Sequence, residues 1–262
     1  MEEELLSGGV ANAGAVTRIG GHVLRPAIPR SEAIHSFLRA LRAAGFDGAS
    51  EPIGIDPDGR ERLVFIEGDV AIPPFPAWVQ TDDALASVAT LMRRFHDTYR
   101  RIGLGAGSTW NMGAGPTGGP IVCHNDVCWE NVVFRDGHAV GMLDWDFAAP
   151  GRPISDLASC ARMCIPIDDD FDAARLGFVP ADRPARFRLA ADSYGLTRDE
   201  RRELVPALAD VLAKYDAFVR RRVDAGDANF TATWNAAGGA ERFDRRLRWW
   251  QEHEAQFARA MT

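Results

Sequence analysis

The sequence predicts an α+β chain of two unequal lobes: a small β-rich N-terminal lobe over residues 1–70 and a larger, mainly helical C-terminal lobe over 71–262, with a hinge at about 65–80. Three observations carry this. Strand-and-turn patterns fill the first 70 residues around a single helix. Prolines cluster in "DVAIPPFPAWVQ". From "TDDALASVATL" onward helical periodicity dominates, interrupted by one polar hairpin.

"GAVTRIGGHVLRP" reads as two short strands around a Gly20-Gly21 turn. "SEAIHSFLRALRAAG" follows as a helix, with Ser31 as N-cap, Ile34, Phe37, Leu38 and Leu41 on one face, and Gly45 closing it. "EPIGID" and "ERLVFIEG" are strands on either side of the turn sequence "PDGR". The proline-rich stretch after them is a linker, because proline removes donors and fixes φ. In "TDDALASVATLMRRFHDTYRRIG", Thr81 or Asp82 caps a helix whose buried stripe is Leu85, Val88, Leu91, Met92 and Phe95. A Gly-rich loop spans 103–119. "NVVFRDGHAVGMLDW" is a hairpin, since Asp136-Gly137 suits a type I′ turn. From Ile154 to the end the chain reads as helices.

The composition is that of a globular protein, 46% hydrophobic and 26% charged over 262 residues. No apolar run is long enough to cross a membrane, and the acidic start "MEEELLSGG" is unlike a secretory signal, so the expected location is the cytoplasm. Cys123, Cys128, Cys160 and Cys164 are then expected as reduced thiols, the last two in the core. A net charge of −7 argues against nucleic-acid and anionic-membrane partners. That charge is concentrated: residues 121–172 hold 3 basic and 10 acidic side chains. The basic residues are almost all arginine, Lys214 being the one lysine in the sequence.

The chemistry centres on "IVCHNDVCWENVVF". A tight hairpin brings its outer ends together, so Asn131 and Asp144 face each other with Asp126 in the loop just before. Two carboxylates and an amide oxygen form a hard-oxygen site suited to Mg²⁺, an ion that shares its shell with phosphate oxygens. The loop carboxylate is left to orient an attacking hydroxyl. This division of labour belongs to phosphoryl transfer.

In "HNDVCWEN", "GMLDWD" and "PGRPISDLA" the chain resembles the aminoglycoside phosphotransferase and choline-kinase-like families, which have a protein-kinase-like fold. The resemblance implies that Asp126 is the catalytic base and that His124, grouped with it, buttresses the loop. Asn131 and Asp144 match the metal ligands. His-Asn-Asp stands here in place of the usual His-Gly-Asp. Asp156 matches the family's helix-start acid, or is a plain N-cap. Asp146 is either a neighbour of the metal site or a solvated carboxylate. "SGGVANAG", with Gly8, Gly9, Asn12 and Gly14, resembles the loop that covers the phosphates, or is an ordinary turn. Arg25 stands where a phosphate-binding lysine is usual, with Arg18 as competitor and Glu32 or His35 as its partner. Phe65, Ile66 and Glu67 resemble the segment whose backbone binds the purine of ATP or GTP, or end a strand.

Only eleven residues separate Asp144 from Asp156, too few for a peptide-holding segment, so the expected acceptor is a small hydroxylated molecule. "IDDDFD", with Asp168, Asp169, Asp170 and Asp172, is either a cation-receiving cluster, as for an aminoglycoside-like acceptor, or an exposed helix start. The expected activity is Mg²⁺-dependent transfer of the γ-phosphoryl group of a nucleoside triphosphate to that hydroxyl. The alternative is a catalytically weak, kinase-like binding or immunity protein. The absent lysine, Asn125 and a fainter resemblance to proteins conferring resistance to the peptide antibiotic trifolitoxin motivate it.

Overall fold

A computed structural model describes residues 3–6, 15–103 and 119–262. In the small lobe, β1 (Glu3–Leu5), β2 (Thr17–Ile19), β3 (His22–Pro26), β4 (Pro52–Ile55) and β5 (Arg60–Val64) pair antiparallel in the order β1-β2-β3-β5-β4. β2 and β3 form the expected hairpin, with Ile19 opposite His22 across Gly20-Gly21. β5 stops at Val64, short of the expected Gly68. The Phe65 amide adds one more bond in the same register, to the Gly21 carbonyl (2.9 Å), and the strand goes no further because β3 begins there, at the Gly20-Gly21 turn.

Helix α1 (Ser31–Ala43) buries the expected face of Ile34, Phe37, Leu38 and Leu41. Its N-cap is Arg30, not Ser31, whose hydroxyl instead accepts the Ile28 amide at 3.0 Å. The helix stops because Gly45 adopts φ +88°, which lets the Phe46 and Gly45 amides bond back to Leu41 and Arg42 (3.0 and 2.9 Å). Helix α2 (Asp82–Ile102) is capped by Thr81, which accepts the Ala84 amide at 3.1 Å, and it ends at left-handed Gly103. The linker is irregular apart from a 3₁₀ turn at Ala77–Gln80. Gln80 holds the carbonyls of Phe75 and Gly177 and accepts the Val179 amide.

The rest comprises β6 (Ile121–Cys123), the hairpin β7 (Val132–Arg135) and β8 (His138–Met142), β9 (Ala149–Gly151), and helices α3 (Pro153–Cys164), α4 (Asp170–Arg175), α5 (Arg183–Tyr194), α6 (Arg198–Asp224), α7 (Ala228–Ala236) and α8 (Gly239–Ala260). Asp136 and Gly137 both take positive φ, 51° and 76°, as a type I′ turn demands. β6 pairs with β9, folding the segment after Asp144 back onto the strand that delivers His124. Cys160 and Cys164 are core residues of α3.

One core runs through these elements. Phe37 of α1 and Phe95 of α2 meet Trp145, with ring centres 5.8 Å and 4.9 Å from the indole, and Phe46 packs on Phe95. The hairpin is also bonded to the chain leaving the small sheet. Asp69 and Phe134 exchange both backbone hydrogen bonds at 2.8 Å, and the Met142 amide donates to Gly48. Gly68 must be glycine there: at φ +148°, a Cβ would lie 2.3 Å from the Phe134 carbonyl oxygen. No helix among the described residues is long and apolar enough to cross a membrane.

Candidate active site

The hairpin mouth is assembled around two buried acid–histidine contacts. His124, fully buried after β6, donates from Nε2 to the Leu143 carbonyl (2.9 Å), and its Nδ1 accepts the Asp126 amide (3.3 Å). Both ring nitrogens are committed, and burial lowers its pKa, so the ring is neutral and holds the loop rather than exchanging protons. Below it, Asp156 accepts the amides of His124 and Asn125 (2.8 and 2.7 Å) and contacts His96 Nε2 (2.9 Å), whose Nδ1 meets the Tyr194 hydroxyl at 2.6 Å. Burial alone would raise the Asp156 carboxyl. The bonds from His96 and His124 outweigh it and hold the carboxyl below the usual carboxylate range. Asp156 lies inside α3, whose N-cap is Arg152, so it is not a plain cap.

Asn125 explains its own departure from His-Gly-Asp. It takes φ 65°, a conformation glycine adopts freely and asparagine tolerates best among the rest. Its side chain adds a bond from Nδ2 to the Phe147 carbonyl (2.9 Å).

Asn131 uses its Nδ2 twice on Asp126, at the backbone oxygen and at Oδ2, both 2.9 Å. Its Oδ1 is therefore left as an acceptor toward the site. The Leu143 amide donates to the Asn131 carbonyl at 2.8 Å, which ties the two ends of the hairpin together. Asp144 follows in a left-handed conformation, φ 58° and ψ 69°. Burial, then the nearby Asp144 carboxylate, push the Asp126 carboxyl up to about 7, against the pull of Arg162 and Asn131. Asp146 is raised by burial and by Asp144, despite the contact with Arg25.

Arg25 reaches this mouth from β3. Its Nη1 donates to Asp144 Oδ1 at 3.2 Å, its Nη2 to Asp146 Oδ1 at 2.7 Å, and its Nε to Glu61 Oε1. The acid partner is therefore Glu61 and not Glu32. His35 is linked to Arg25 only indirectly, through Glu61 Oε2 at 2.7 Å. Burial opposes the charge on Arg25, but the three carboxylates raise its pKa further, so it is a permanent cation. Arg18 is elsewhere: it stacks on the Phe65 ring at 3.8 Å and pairs with Glu67. In the Phe65–Glu67 segment, the Glu67 carbonyl accepts Arg135 at 2.8 Å. Neither Ile66 backbone group makes a protein hydrogen bond among the described residues. Gly8, Gly9, Asn12 and Gly14 lie outside the described residues.

The acidic cluster is only in part the exposed helix start that the sequence suggests: Asp170 opens α4 in solvent, while its neighbours are paired with arginines. Asp168 and Asp172 are buried and neutralised within the chain. Arg242 contacts Asp168 (3.1 Å), Arg245 contacts Asp169 (3.0 Å) and Asp172 (2.7 Å), and Arg183 contacts Asp170 (2.7 Å). Asp169 is also the N-cap of α4, accepting the Asp172 amide. Arginines from α5 and α8 therefore offset much of this cluster's charge within the chain.

Glu61, His96 and Tyr194 were not among the sequence candidates. Glu61 faces Arg25 across the β3–β5 ladder, but α1 and β4 intervene in sequence, which hides the pairing. His96 carried a readable signal, a lone histidine one turn after Met92 on the apolar face of α2.

Residues 7–190 match the model of the phosphotransferase enzyme family. The trifolitoxin immunity protein of Rhizobium leguminosarum bv. trifolii is 35% identical over 225 residues, 82% of each chain. Among solved structures, a choline/ethanolamine kinase family protein from Mesorhizobium loti superposes with a TM-score of 0.62 at 17% identity, covering 100% of this chain and 92% of the other. The streptomycin–ATP–APH(2″)-IIa ternary complex gives 0.53 at 13% identity, covering 93% of each chain.

Proposed function

The chain belongs to the phosphotransferase enzyme family, and from that premise we propose that it transfers the γ-phosphoryl group of a nucleoside triphosphate to a hydroxyl of a small molecule. The observation that carries this reading is the convergence of Asp126, Asn131, Asp144 and Arg25 on one hairpin mouth. Asp126 lies where it can orient the acceptor hydroxyl and take its proton. Arg25 supplies a fixed positive charge for phosphate oxygens, with Glu61 holding Nε while the terminal nitrogens face the mouth.

The oxygen set fits Mg²⁺. Asn131 Oδ1 and a carboxylate oxygen of Asp144 are hard oxygen donors, and they would hold the ion. When bound, it neutralises charge on the transferred phosphate. Ile66 and Glu67 offer backbone groups to a purine, and the ATP held by the streptomycin–ATP complex supports a nucleotide donor. A small acceptor suits the segment after Asp144, which β9 folds back onto β6.

The immunity protein's name fits a modifying enzyme and a sequestering protein equally. Turnover decides between them. The full chain, with Mg²⁺ and γ-labelled ATP or GTP, is tested against hydroxylated antibiotics and metabolites. Label transfer to one acceptor supports the proposal. Tight nucleotide binding without transfer to any class, or no nucleotide binding at all, overturns it.

A further inference from the structure

Arg162 is the unexplained charge next to the site. Five arginines make no hydrogen bond or ion pair among the described residues, and four of them (Arg198, Arg221, Arg248 and Arg259) are exposed to water. Arg162 is half-buried, and its Nε is shut away from solvent without a partner. Such a donor is costly unless something satisfies it.

The terminal nitrogens are not shut away in this manner, and the place of Arg162 in the fold points to what they hold. Arg162 lies on α3 one turn beyond Ser159, whose hydroxyl donates to the Asn125 carbonyl at 3.3 Å, so this face of the helix adjoins the catalytic loop. The guanidinium carbon is 4.1 Å from the centre of the Tyr215 ring on α6, which covers one face and leaves the edges for a ligand. Its charge acts on both Asp126 and Asp216. Asp216 is already engaged by Arg246. Three residues along α6 from Tyr215, Phe218 meets Phe147 (6.1 Å) and Phe230 (5.3 Å), forming an aromatic rim beside the loop.

We propose that Arg162 anchors the acceptor, and that the acceptor is a small hydroxylated anion whose carboxylate or phosphate group docks on this guanidinium while its hydroxyl faces Asp126. The inference rests on the phosphotransferase reading and adds the acceptor's charge class to it. It runs opposite to an aminoglycoside-like acceptor.

Charge accounting around the loop favours the anion. Asp168, Asp169, Asp170 and Asp172 are taken up by Arg242, Arg245 and Arg183. Apart from Asp126 itself, Glu130 is the half-buried carboxyl near the loop that makes no ion pair among the described residues. The Arg162 guanidinium keeps its charge at any working pH, so that charge waits for a partner.

Two measurements test this separately from the phosphotransferase reading. In the first, transfer from Mg·ATP is compared across hydroxy acids, sugar phosphates, neutral polyols and amino alcohols. Transfer is expected within the anionic sets, hydroxy acids against sugar phosphates showing which oxyanion is used. Arg162→Ala should raise KM about tenfold or more, the loss expected for a charge-assisted hydrogen bond, with kcat less changed. Arg162→Lys should restore much of the loss, and Glu130→Gln should leave KM near wild type. Transfer to amino alcohols or neutral polyols with KM sensitive to Glu130→Gln and indifferent to Arg162→Ala overturns the anchor.

The second needs no turnover. Inorganic phosphate is titrated into the Mg·ADP-loaded protein while the Arg162 Nε–H resonance is followed by NMR, with Arg162→Gln as the blank. A saturable shift of that resonance is expected. Its absence overturns the anchor even where transfer is found, whereas a shift without transfer to any compound sinks the phosphotransferase reading instead.

Discussion

Asp126 works against its surroundings. Burial and Asp144 push its carboxyl up to about 7, while Arg162 and the Asn131 amide favour the charged form. A carboxyl poised there can accept a proton near neutral pH, the condition general-base assistance asks for. Asp126→Asn should lower kcat by about 10²–10⁴, the range for losing such a base. Nucleotide affinity should stay near wild type, since Arg25, Asn131 and Asp144 are untouched. Calorimetry paired with initial rates checks both halves, and lost nucleotide binding at unchanged turnover would sink the assignment. Asp126 was legible because His124, Asp126, Asn131 and Asp144 lie within 21 consecutive residues, and a hairpin turn is a local signal. Asn125 was visible as an oddity, but only its φ of 65° gives the reason.

Between elements, the small sheet and α1 meet in the buried series Arg25–Glu61–His35. Glu61 is 1% exposed, and both its oxygens are used, one by β3 and the other by α1. Desolvation opposes its charge, but the bonds from His35 and Arg25 win and keep the carboxyl below its usual range. Glu61→Gln should therefore weaken nucleotide binding about tenfold, because Arg25 Nε loses the charged acceptor that fixes its position. Arg25→Ala should cost more, and Arg18→Ala little. Equal losses for Arg25→Ala and Arg18→Ala in calorimetry would leave Arg25 with no special role. This pairing was not legible, because side chains opposed across β3 and β5 depend on the register of two strands that α1 and β4 separate in sequence.

The Asp156 contact between α2, α3 and the loop sets a pH dependence. Its folded carboxyl is held below the usual value, so the unfolded chain binds the proton more readily. The stabilisation is complete above the unfolded value of about 4 and is lost as pH falls through the lower folded value. Asp156→Asn should be less stable than wild type at pH 7, with the gap narrowing as pH falls below about 4. Melting temperatures across that range decide it, and a gap independent of pH would show that Asp156 acts without its charge.

At the scale of the whole molecule, charge separation along the sequence turns out to be a packing device. Residues 121–172 are strongly acidic and 173–262 carry 16 basic against 13 acidic side chains, an asymmetry plain in the sequence. Its meaning was not plain, because a run such as Asp168–Asp172 looks the same whether it faces water, a ligand or another helix. The fold lays α8 across it, and Arg242 and Arg245 neutralise what would otherwise be buried charge. Asp168 shows the strain of that position: burial raises its pKa even beside Arg242. Removing the guanidinium should therefore be felt as stability. Arg242→Met leaves Asp168 buried without its partner and should cost about 1–3 kcal/mol, the penalty for an unsatisfied buried polar group. In a chain of this size that is roughly 2–4 °C of melting temperature per kcal/mol. Replacing Asp168, Asp169 and Asp170 by Asn should likewise lower the melting temperature, because it removes the charges that anchor α5 and α8, while an asparagine in place of Asp169 can still cap α4. Neither change should alter the acceptor's KM by more than the experimental scatter. A cation held at this cluster would give the reverse pattern: KM rising with salt and with these substitutions while the melting temperature stayed put. Thermal unfolding and KM measured on the same variants at low and high salt separate the two, and the reverse pattern would return the acidic segment to the binding site.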